Sequence, residues 1–460
     1  MNKNIIMAAT VAVILVAVIA ACFVTGVFNG SNTDHNEGSL VGNTLTGDGI
    51  PSNDSRLWVY GNSNEDDEID ASDITYLQGV IDGNNSATVL SDANADGFID
   101  SKDIDYLERI IASEDMDVYY VDNYYCVAKV SWPVNTIAIG YCSGAYCADL
   151  TGVCDKVTMV DSTIDSYWYV MNSNFASASS FGDTETPDYE AMIAADIDVY
   201  VVGYCDATAD ALSPSKLNPA GIDVMFITTC DNSGVDYPNE YIDRSILMFA
   251  YLLQGDTEKT YEYLDWHDEV LSTLEAAADT IADEDKATFM MARSSPSYDT
   301  DGKISITGKN NTNNIHAEWV GVYAVGQYSS YLPSNYNNLT AEQILTVIAS
   351  EAKDNTIYYM DNEHDGIRQQ RLLEDCIPAD IEMLSSSSVN IHYLGMSREA
   401  GNSPLYVVEL AFYQNVMYPN LDTGIDYKEL FEYYFDNFAS EDYSEYVSDI
   451  ENFFWDYGEA

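Results

Sequence analysis

Apolar positions fall into two helical runs between Pro238 and Asp283, and shorter β-like runs flank them on both sides. In the first run Ile242, Ile246, Phe249, Ala250 and Leu253 recur at helical spacing behind Pro238, whose missing N–H costs nothing in a first turn. Gly255 interrupts the period. Asp256 then offers an N-cap, with Lys259 where a capping box would place Glu. The second run is Tyr261, Leu264, Trp266, Val270, Leu271, Leu274, Ala278 and Ile281. It has no Pro or Gly for about 25 residues and would span about 37 Å if wholly helical. The pattern predicts a helical spine over residues 238–284 with a globular lobe on either side; on length alone, one more surface helix is the competing reading.

The flanks alternate between the two periods. Before the spine, Asp117–Val134 is Tyr-rich and strand-like, and Thr136–Gly140, Cys154–Val160, Asp198–Gly203 and Gly221–Ile227 are apolar strand candidates. Helices are expected around Ala148–Leu150, over Asp188–Ala195 and near Ala207–Leu212. After the spine, Ala287–Ala292 is a strand ending at Arg293. A helix over Ala341–Ser350, a strand Thr356–Met360, a helix from about Gly366, a strand Val389–Tyr393 and a helix Pro404–Met417 follow, and an acidic helical segment closes the chain. Such alternation predicts an α/β lobe on each side, residues 116–237 and 285–460. Ligands at parallel sheets sit at the carboxyl ends of the strands, here Gly140–Tyr146, Gly203–Asp206 and Thr228–Asn232.

The N-terminal part reads differently. Residues 1–28 form a targeting segment, with Ile5–Phe28 free of charge. Ile19-Ala-Ala-Cys22 fits a cleavage site before a lipid-modified cysteine; the whole stretch is also long enough to span a bilayer uncleaved. Apolar residues continue past Cys22 and favour the uncleaved anchor, so the rest of the chain is expected outside the cell. Residues 29–56 are rich in Gly, Ser, Asn and Asp and read as a flexible stalk. Residues 57–115 then hold a duplicated loop. Asn62, Asn64, Asp66, Glu68, Asp70 and Asp73 occupy positions 1, 3, 5, 7, 9 and 12 of the first copy. Asp92, Asn94, Asp96, Phe98, Asp100 and Asp103 do so in the second. Position 7 would contribute a backbone carbonyl. Hard oxygen donors at alternate positions around a tight turn are what Ca2+ requires. Gly97 suits the left-handed position 6 of the second copy, whereas Asp67 stands there in the first, so the first loop is expected to bind more weakly.

Charge narrows the classes. Against 76 acidic residues stand 18 Lys plus Arg, a net charge of −58. That excludes nucleic-acid binding, which needs a basic face. With 36 Tyr and 14 Phe the chain is no disordered tail. Outside Cys22 seven cysteines remain, an odd number, and Cys142, Cys147 and Cys154 lack the histidine partners and spacing of a zinc site. No G-x-S-x-G, H-E-x-x-H or P-loop motif occurs, and no catalytic constellation is apparent.

Two resemblances follow from these residues. The loop–helix duplication, with Asp at position 12 and helices beginning at Ile74 and Ile104, resembles a dockerin domain. That implies calcium-dependent folding and a cohesin partner, recognised through loop positions 10 and 11, here Ala71-Ser72 and Ser101-Lys102. The alternative is a calcium-stabilised spacer that binds no partner. The region Thr136–Phe438 resembles the helical-spine solute-binding proteins of ABC importers for cobalamin, haem and ferric siderophores. Its carriers are the helix–strand unit Asp188–Val202, the spine start Leu252-Leu-Gln-Gly255 with Glu258-Lys259, and the closing run Gly401-Asn-Ser-Pro404 through Tyr418-Pro419 to Phe438. The chain departs from that pattern at Tyr141–Tyr146 and at His316–Gly321. The resemblance implies two α/β lobes on a stiff helix, a non-enzymatic role, a metal-chelate ligand between the lobes and an ABC permease as membrane partner. A dockerin-bearing extracellular enzyme or adhesion component of a cohesin-organised assembly is the alternative.

Candidate ligand residues are those that grip carboxylates or stack on a flat macrocycle. Arg293, Arg368 and Arg398 lie at predicted element ends in a chain with only seven arginines. Tyr141, Tyr146, Tyr204 and Trp319 offer aromatic faces, and His316 a metal-ligating ring in a predicted loop. Core packing or pairing with neighbouring acids is the competing reading for each.

Overall fold

A computed structural model describes residues 40–162, 164, 175–184, 186–202, 212–227, 239–294, 303–363, 377–401, 403–439 and 450–459. The expected anchor, and the helices expected near Ala207 and from Gly366, lie outside these. Among the described residues no helix is long and apolar enough to cross a membrane.

The duplicated loops each lead into a helix, α1 (Ala71–Ile81) and α2 (Ser101–Ile111). Both helices open with a capping box. Asp70 and Asp100 accept first-turn N–H groups, while Asp73 and Asp103 accept from the N-cap backbone. Leu77, Ala93 and Leu107 close a small core between the two units.

A hairpin follows, β1 (Met116–Val121) and β2 (Val127–Trp132), in antiparallel register. The run Leu57-Trp-Val-Tyr60 lies along β1, with Tyr60 N–H donating to Tyr119 O and Val121 N–H to Trp58 O, both at 2.9 Å. All four residues are buried in the same core as the first lobe. Packing therefore runs unbroken across position 116, because this apolar β-type run completes the hairpin's inner face. The described part of the expected stalk, residues 40–56, is also tied down. Leu40 N–H donates to Ala95 O and Leu45 N–H to Tyr125 O, both at 2.8 Å. Leu40, Leu45 and Ile50 anchor it on the core, an apolar spacing that its polar average composition conceals.

The first lobe comprises β3 (Ile137–Ile139), α3 (Cys142–Leu150), β4 (Val157–Val160), β5 (Ser179–Ser180), α4 (Tyr189–Ala194), β6 (Val199–Val201) and β7 (Asp223–Met225). Its five strands are parallel, in the order β5-β4-β3-β6-β7. The inner strands β3 and β6 are buried throughout, as their unbroken apolar runs require.

The spine is two helices, α5 (Asn239–Leu252) and α6 (Thr257–Ala278). The break falls at Gly255, where a Cβ would lie 2.4 Å from Thr151 O; close approach of the first lobe's backbone demands glycine there. Asp256 caps α6 by accepting from Lys259 N–H at 3.0 Å. Lys156 Nζ donates to Leu253 O and Gln254 O at 2.7 and 3.0 Å, a cation at the carboxyl end of α5. At 22 residues α6 is about 33 Å long.

The second lobe comprises β8 (Thr288–Ser294), β9 (Ile304–Thr307), α7 (Thr312–Trp319), β10 (Tyr323–Ala324), β11 (Tyr336–Leu339), α8 (Ala341–Glu351), β12 (Thr356–Glu363), α9 (Ile377–Leu384), β13 (Asn390–Ser397), α10 (Tyr406–Met417), α11 (Tyr427–Asn437) and β14 (Phe454–Glu459). The sheet order is β11-β9-β8-β12-β13-β14, with β10 parallel to β8. β8, β12 and β13 are parallel, and β9, β11 and β14 are antiparallel additions. The acidic helical segment is α11, and beyond it β14 adds an edge strand that the acidic sequence conceals. Phe454 and Trp455 are both buried at the start of the strand, while Asp456, Tyr457 and Glu459 are exposed.

Candidate functional site

Among the described residues, the carboxyl ends of the parallel strands carry a short row of polar groups in the second lobe. Arg293 on β8, Asn362 on β12 and Met396 on β13 are register partners. Arg398, two residues past Met396, starts a single helical turn, Arg398–Gly401. The two arginines therefore flank β12 at one end of the sheet, about 10 Å apart at two strand spacings. The Arg293 guanidinium lies 4.8 Å over the ring of Tyr336 from β11, a stack that orients the side chain. The loops beyond β4, β6, β7, β8 and β12, and with them Tyr204 and Arg368, lie outside the described residues, as does the Arg398 side chain.

Beside this row sits a carboxyl pair that sequence reasoning missed. Asp361 on β12 and Asp380 on α9 are both buried. They are hydrogen-bonded to one another, and burial together with the Asp361 charge pushes the Asp380 carboxyl far above the usual carboxylate range. Two buried like charges at contact oppose one another's ionisation, which is the physical cause of that shift. An acid inside the apolar run of β12 was the available signal.

Four expected ligand residues occupy other surroundings. Tyr141 and Tyr146 are buried in the first-lobe core at 6% and 1% exposure. The loop expected after β3 is instead the first turns of α3, and Gly144 presses so closely on Ile139 that a Cβ would lie 2.4 Å away. Tyr141 takes a left-handed φ of 69°, and its N–H donates to Asp161 at the end of β4. His316 and Trp319 lie on α7 rather than in a loop. His316 is buried, its Nδ1 2.9 Å from Glu409 Oε2 and its ring against Tyr406 and Trp319. Glu409 also accepts from Asn313 Nδ2 at 2.8 Å and from the Tyr413 hydroxyl at 2.5 Å. A Cβ on Gly401 would lie 2.7 Å from Glu409 Oε2. The helical period turns His316 and Asn313 onto α10, where the lone carboxylate in Tyr-Val-Val-Glu-Leu-Ala-Phe needs partners.

The duplicated loops are a second candidate site. In the second, Gly97 at φ 89° donates to Asp92 Oδ2 at 2.8 Å. Asp96 N–H donates to Asn94 Oδ1 at 2.9 Å, and Phe98 N–H to Asp96 Oδ1 at 3.0 Å. Asp103 accepts from Asn94 and Asp100 N–H at 3.2 and 2.8 Å. In the first, Asp73 is held the same way by Asn64 and Asp70. Asn62 is fully buried. Its amide nitrogen donates to Ser55 Oγ and Leu57 O, while its Oδ1 has no hydrogen-bond partner. An orphaned buried oxygen at position 1 fits a cation-binding loop. Burial, above all, pushes Asp73 and Asp92 up to about 6 and raises Asp103. Such buried acids are stabilised by a bound cation. Asp67, at φ 71°, turns its carboxylate outward to Ser55, Arg56 and Leu57, so it anchors the loop rather than furnishing a ligand. The residues present thus fit Ca2+ at positions 1, 3, 5, 7, 9 and 12.

No protein-family model matches the sequence, and no curated protein matches it. Solved structures do match. A periplasmic solute-binding protein from Veillonella parvula superposes with a TM-score of 0.53 at 13% identity, over 72% of this chain and 94% of that one. Helicobacter pylori CeuE in a Ni-His complex gives 0.51 at 14% identity, over 74% and 100%. The Haemophilus influenzae molybdate-binding protein MolA, bound to molybdate, gives 0.52 at 13% identity, over 70% and 97%. These likenesses extend over nearly the whole of each neighbour, and the fold of this chain is that of the periplasmic solute-binding proteins.

Proposed function

We propose that this chain is an extracellular, membrane-tethered solute-binding protein that captures a metal-chelate nutrient (ferric siderophore, cobalamin or haem) and delivers it to an ABC permease. The observation that carries the reading is the architecture: a parallel-sheet lobe and a mixed-sheet lobe with a parallel centre, connected through a two-helix spine. Two of the neighbours are described with a metal-containing ligand, Ni-His and molybdate. Arg293 and Arg398, at one end of the second sheet, supply the cationic donors for an anionic chelate in an otherwise acidic chain. The duplicated loops bind two Ca2+ ions, and calcium stiffens the unit that packs on the first lobe. In a second reading the loops also dock a cohesin; Ala71, Ser72, Ser101 and Lys102 are exposed and available to it.

The test is a thermal-shift screen on the calcium-loaded chain with haem, cobalamin and several ferric siderophores. A chelate at a hundredfold excess over its Kd should add roughly 2.7 kcal/mol of stability. A shift with calcium alone, and with no chelate, would remove the importer reading and leave the calcium loops in place.

A further inference from the structure

Away from the strand ends and the calcium loops, the two spine helices bring three metal-ligating side chains together. Asp243 comes from α5, and His267 and Asp268 come from α6. His267 Nδ1 lies 3.5 Å from Asp243 Oδ2 and 3.5 Å from Asp268 Oδ1, and among the described residues these are the three that cluster within 4.8 Å of one another. The His267 side chain is fully buried and that of Asp243 nearly so, at 4% exposure. Asp268 is half-exposed, and its Oδ2 is held by Arg56 Nη1 at 2.9 Å, which leaves Oδ1 toward the imidazole. A fourth oxygen stands close by. The Tyr406 hydroxyl is buried and interacts with the Asp243 carboxylate.

One imidazole N–H can point at only one carboxylate, and a charge-assisted hydrogen bond would draw that oxygen to about 2.7–2.9 Å. Here both oxygens stand off equally. Ligand atoms about 2.0–2.1 Å from a shared tetrahedral ion are roughly 3.3–3.4 Å apart, close to what is seen. An imidazole nitrogen with two carboxylate oxygens is a donor set for zinc and its first-row neighbours rather than for the hard-oxygen calcium loops. Arg56, which orients the Asp268 carboxylate, also donates to Asp67 of the first loop. The Tyr261 hydroxyl of α6 donates to Asp67 O at 2.5 Å.

We infer that Asp243, His267 and Asp268 form a structural site for one zinc-class divalent ion, which pins α5 to α6 and, through Arg56, seats the first calcium loop on the spine. The alternative is an imidazolium shared between the two carboxylates, with no metal.

The experiment titrates Zn2+ into the full chain held in saturating Ca2+, by calorimetry, with Co2+ absorption reporting the ligand field. The expected result is one Zn2+ per chain that calcium does not displace and that raises Tm. Asp268→Asn, at a half-exposed position that tolerates the change, should lower zinc affinity at least tenfold with the circular dichroism unchanged. Arg56→Gln, which acts on the orientation of Asp268, should lower it by about tenfold. His267→Gln should abolish binding, with folding checked separately. A wild-type chain that takes up no Zn2+ in saturating calcium would overturn the site. So would Asp268→Asn and Arg56→Gln variants that bind as tightly as wild type, since cysteines or the calcium loops would then hold the ion.

Discussion

Replacing Glu409 with alanine should unfold much of the second lobe's margin of stability. Its carboxylate is fully buried on α10 and accepts from Asn313 Nδ2, from the Tyr413 hydroxyl and, across 2.9 Å, meets His316 Nδ1. Removing it strands these groups without water. Each unsatisfied buried donor costs about 1–3 kcal/mol, and breaking a buried charged network by deleting one partner costs about 3–5 kcal/mol in all. The non-additive total, about 3–5 kcal/mol, is a large share of the roughly 5–15 kcal/mol that holds a domain folded. Glu409→Gln keeps the shape and one acceptor oxygen, and its cost should be about 1–2 kcal/mol. Gly401→Ala approaches the same oxygen from outside, and the overpacking should cost about 1–3 kcal/mol. Equilibrium urea unfolding measures all three, followed by tryptophan fluorescence, since Trp319 lies 4.9 Å from the His316 ring. An alanine variant within about 0.5 kcal/mol of wild type would refute the reasoning. So would a glutamine variant as damaged as the alanine one, since the negative charge rather than the acceptor geometry would then matter.

Three further outcomes follow from named groups. Burial raises Asp122 from its ordinary 3.8 to about 7, against backbone donors Tyr124 and Cys126. Between those values the folded chain keeps a proton that the unfolded chain has released, so stability falls as pH rises and the loss is complete above about 7. Asp122→Asn keeps the acceptor oxygen and should flatten urea-measured stability between pH 5 and 8, gaining roughly 2–4 kcal/mol at pH 8. Asp103→Ala removes the acceptor for Asn94 and Asp100 N–H together with the position-12 ligand. Calcium affinity measured by calorimetry should fall for one of two ions, and chelator should then lower Tm less than in wild type. Gly255→Ala drives a Cβ to 2.4 Å from Thr151 O; thermal unfolding should show a cost of about 1–3 kcal/mol.

Much of the architecture is legible in the chain. The break at Gly255 and the cap at Asp256 stand where the apolar period stops and restarts. β3, β4, β6, β8, β12 and β13 are apolar runs that parallel burial imposes. The antiparallel strands β9, β11 and β14 are less visible because edge strands bury one face or little. Tyr-Asn-Asn-Leu of β11 carries no hydrophobic period, and β14 sits in an acidic stretch. The site was harder to read. A residue type can be listed as a ligand, but only the fold decides which way it turns. Tyr146 and His316 are placed in the core by helical rotation, and the His316 Nδ1 meets a glutamate 93 positions away. Asp361, Asp380 and Glu409 were findable in principle, since a lone acid inside an apolar run must be paired, protonated or bound. The duplicated loop–helix units were legible because their turns and capping boxes are local, each held within twelve positions.

The most direct test of the central claim is a calorimetric titration of the calcium-loaded chain with an anionic ferric chelate, haem and cobalamin, run beside Arg293→Gln. The account predicts that one of them binds at one molecule per chain. Loss of a charged hydrogen bond at Arg293, worth about 1.5–3 kcal/mol, should weaken an anionic chelate by roughly tenfold to a hundredfold. A folded, calcium-loaded chain that binds none of them would contradict it.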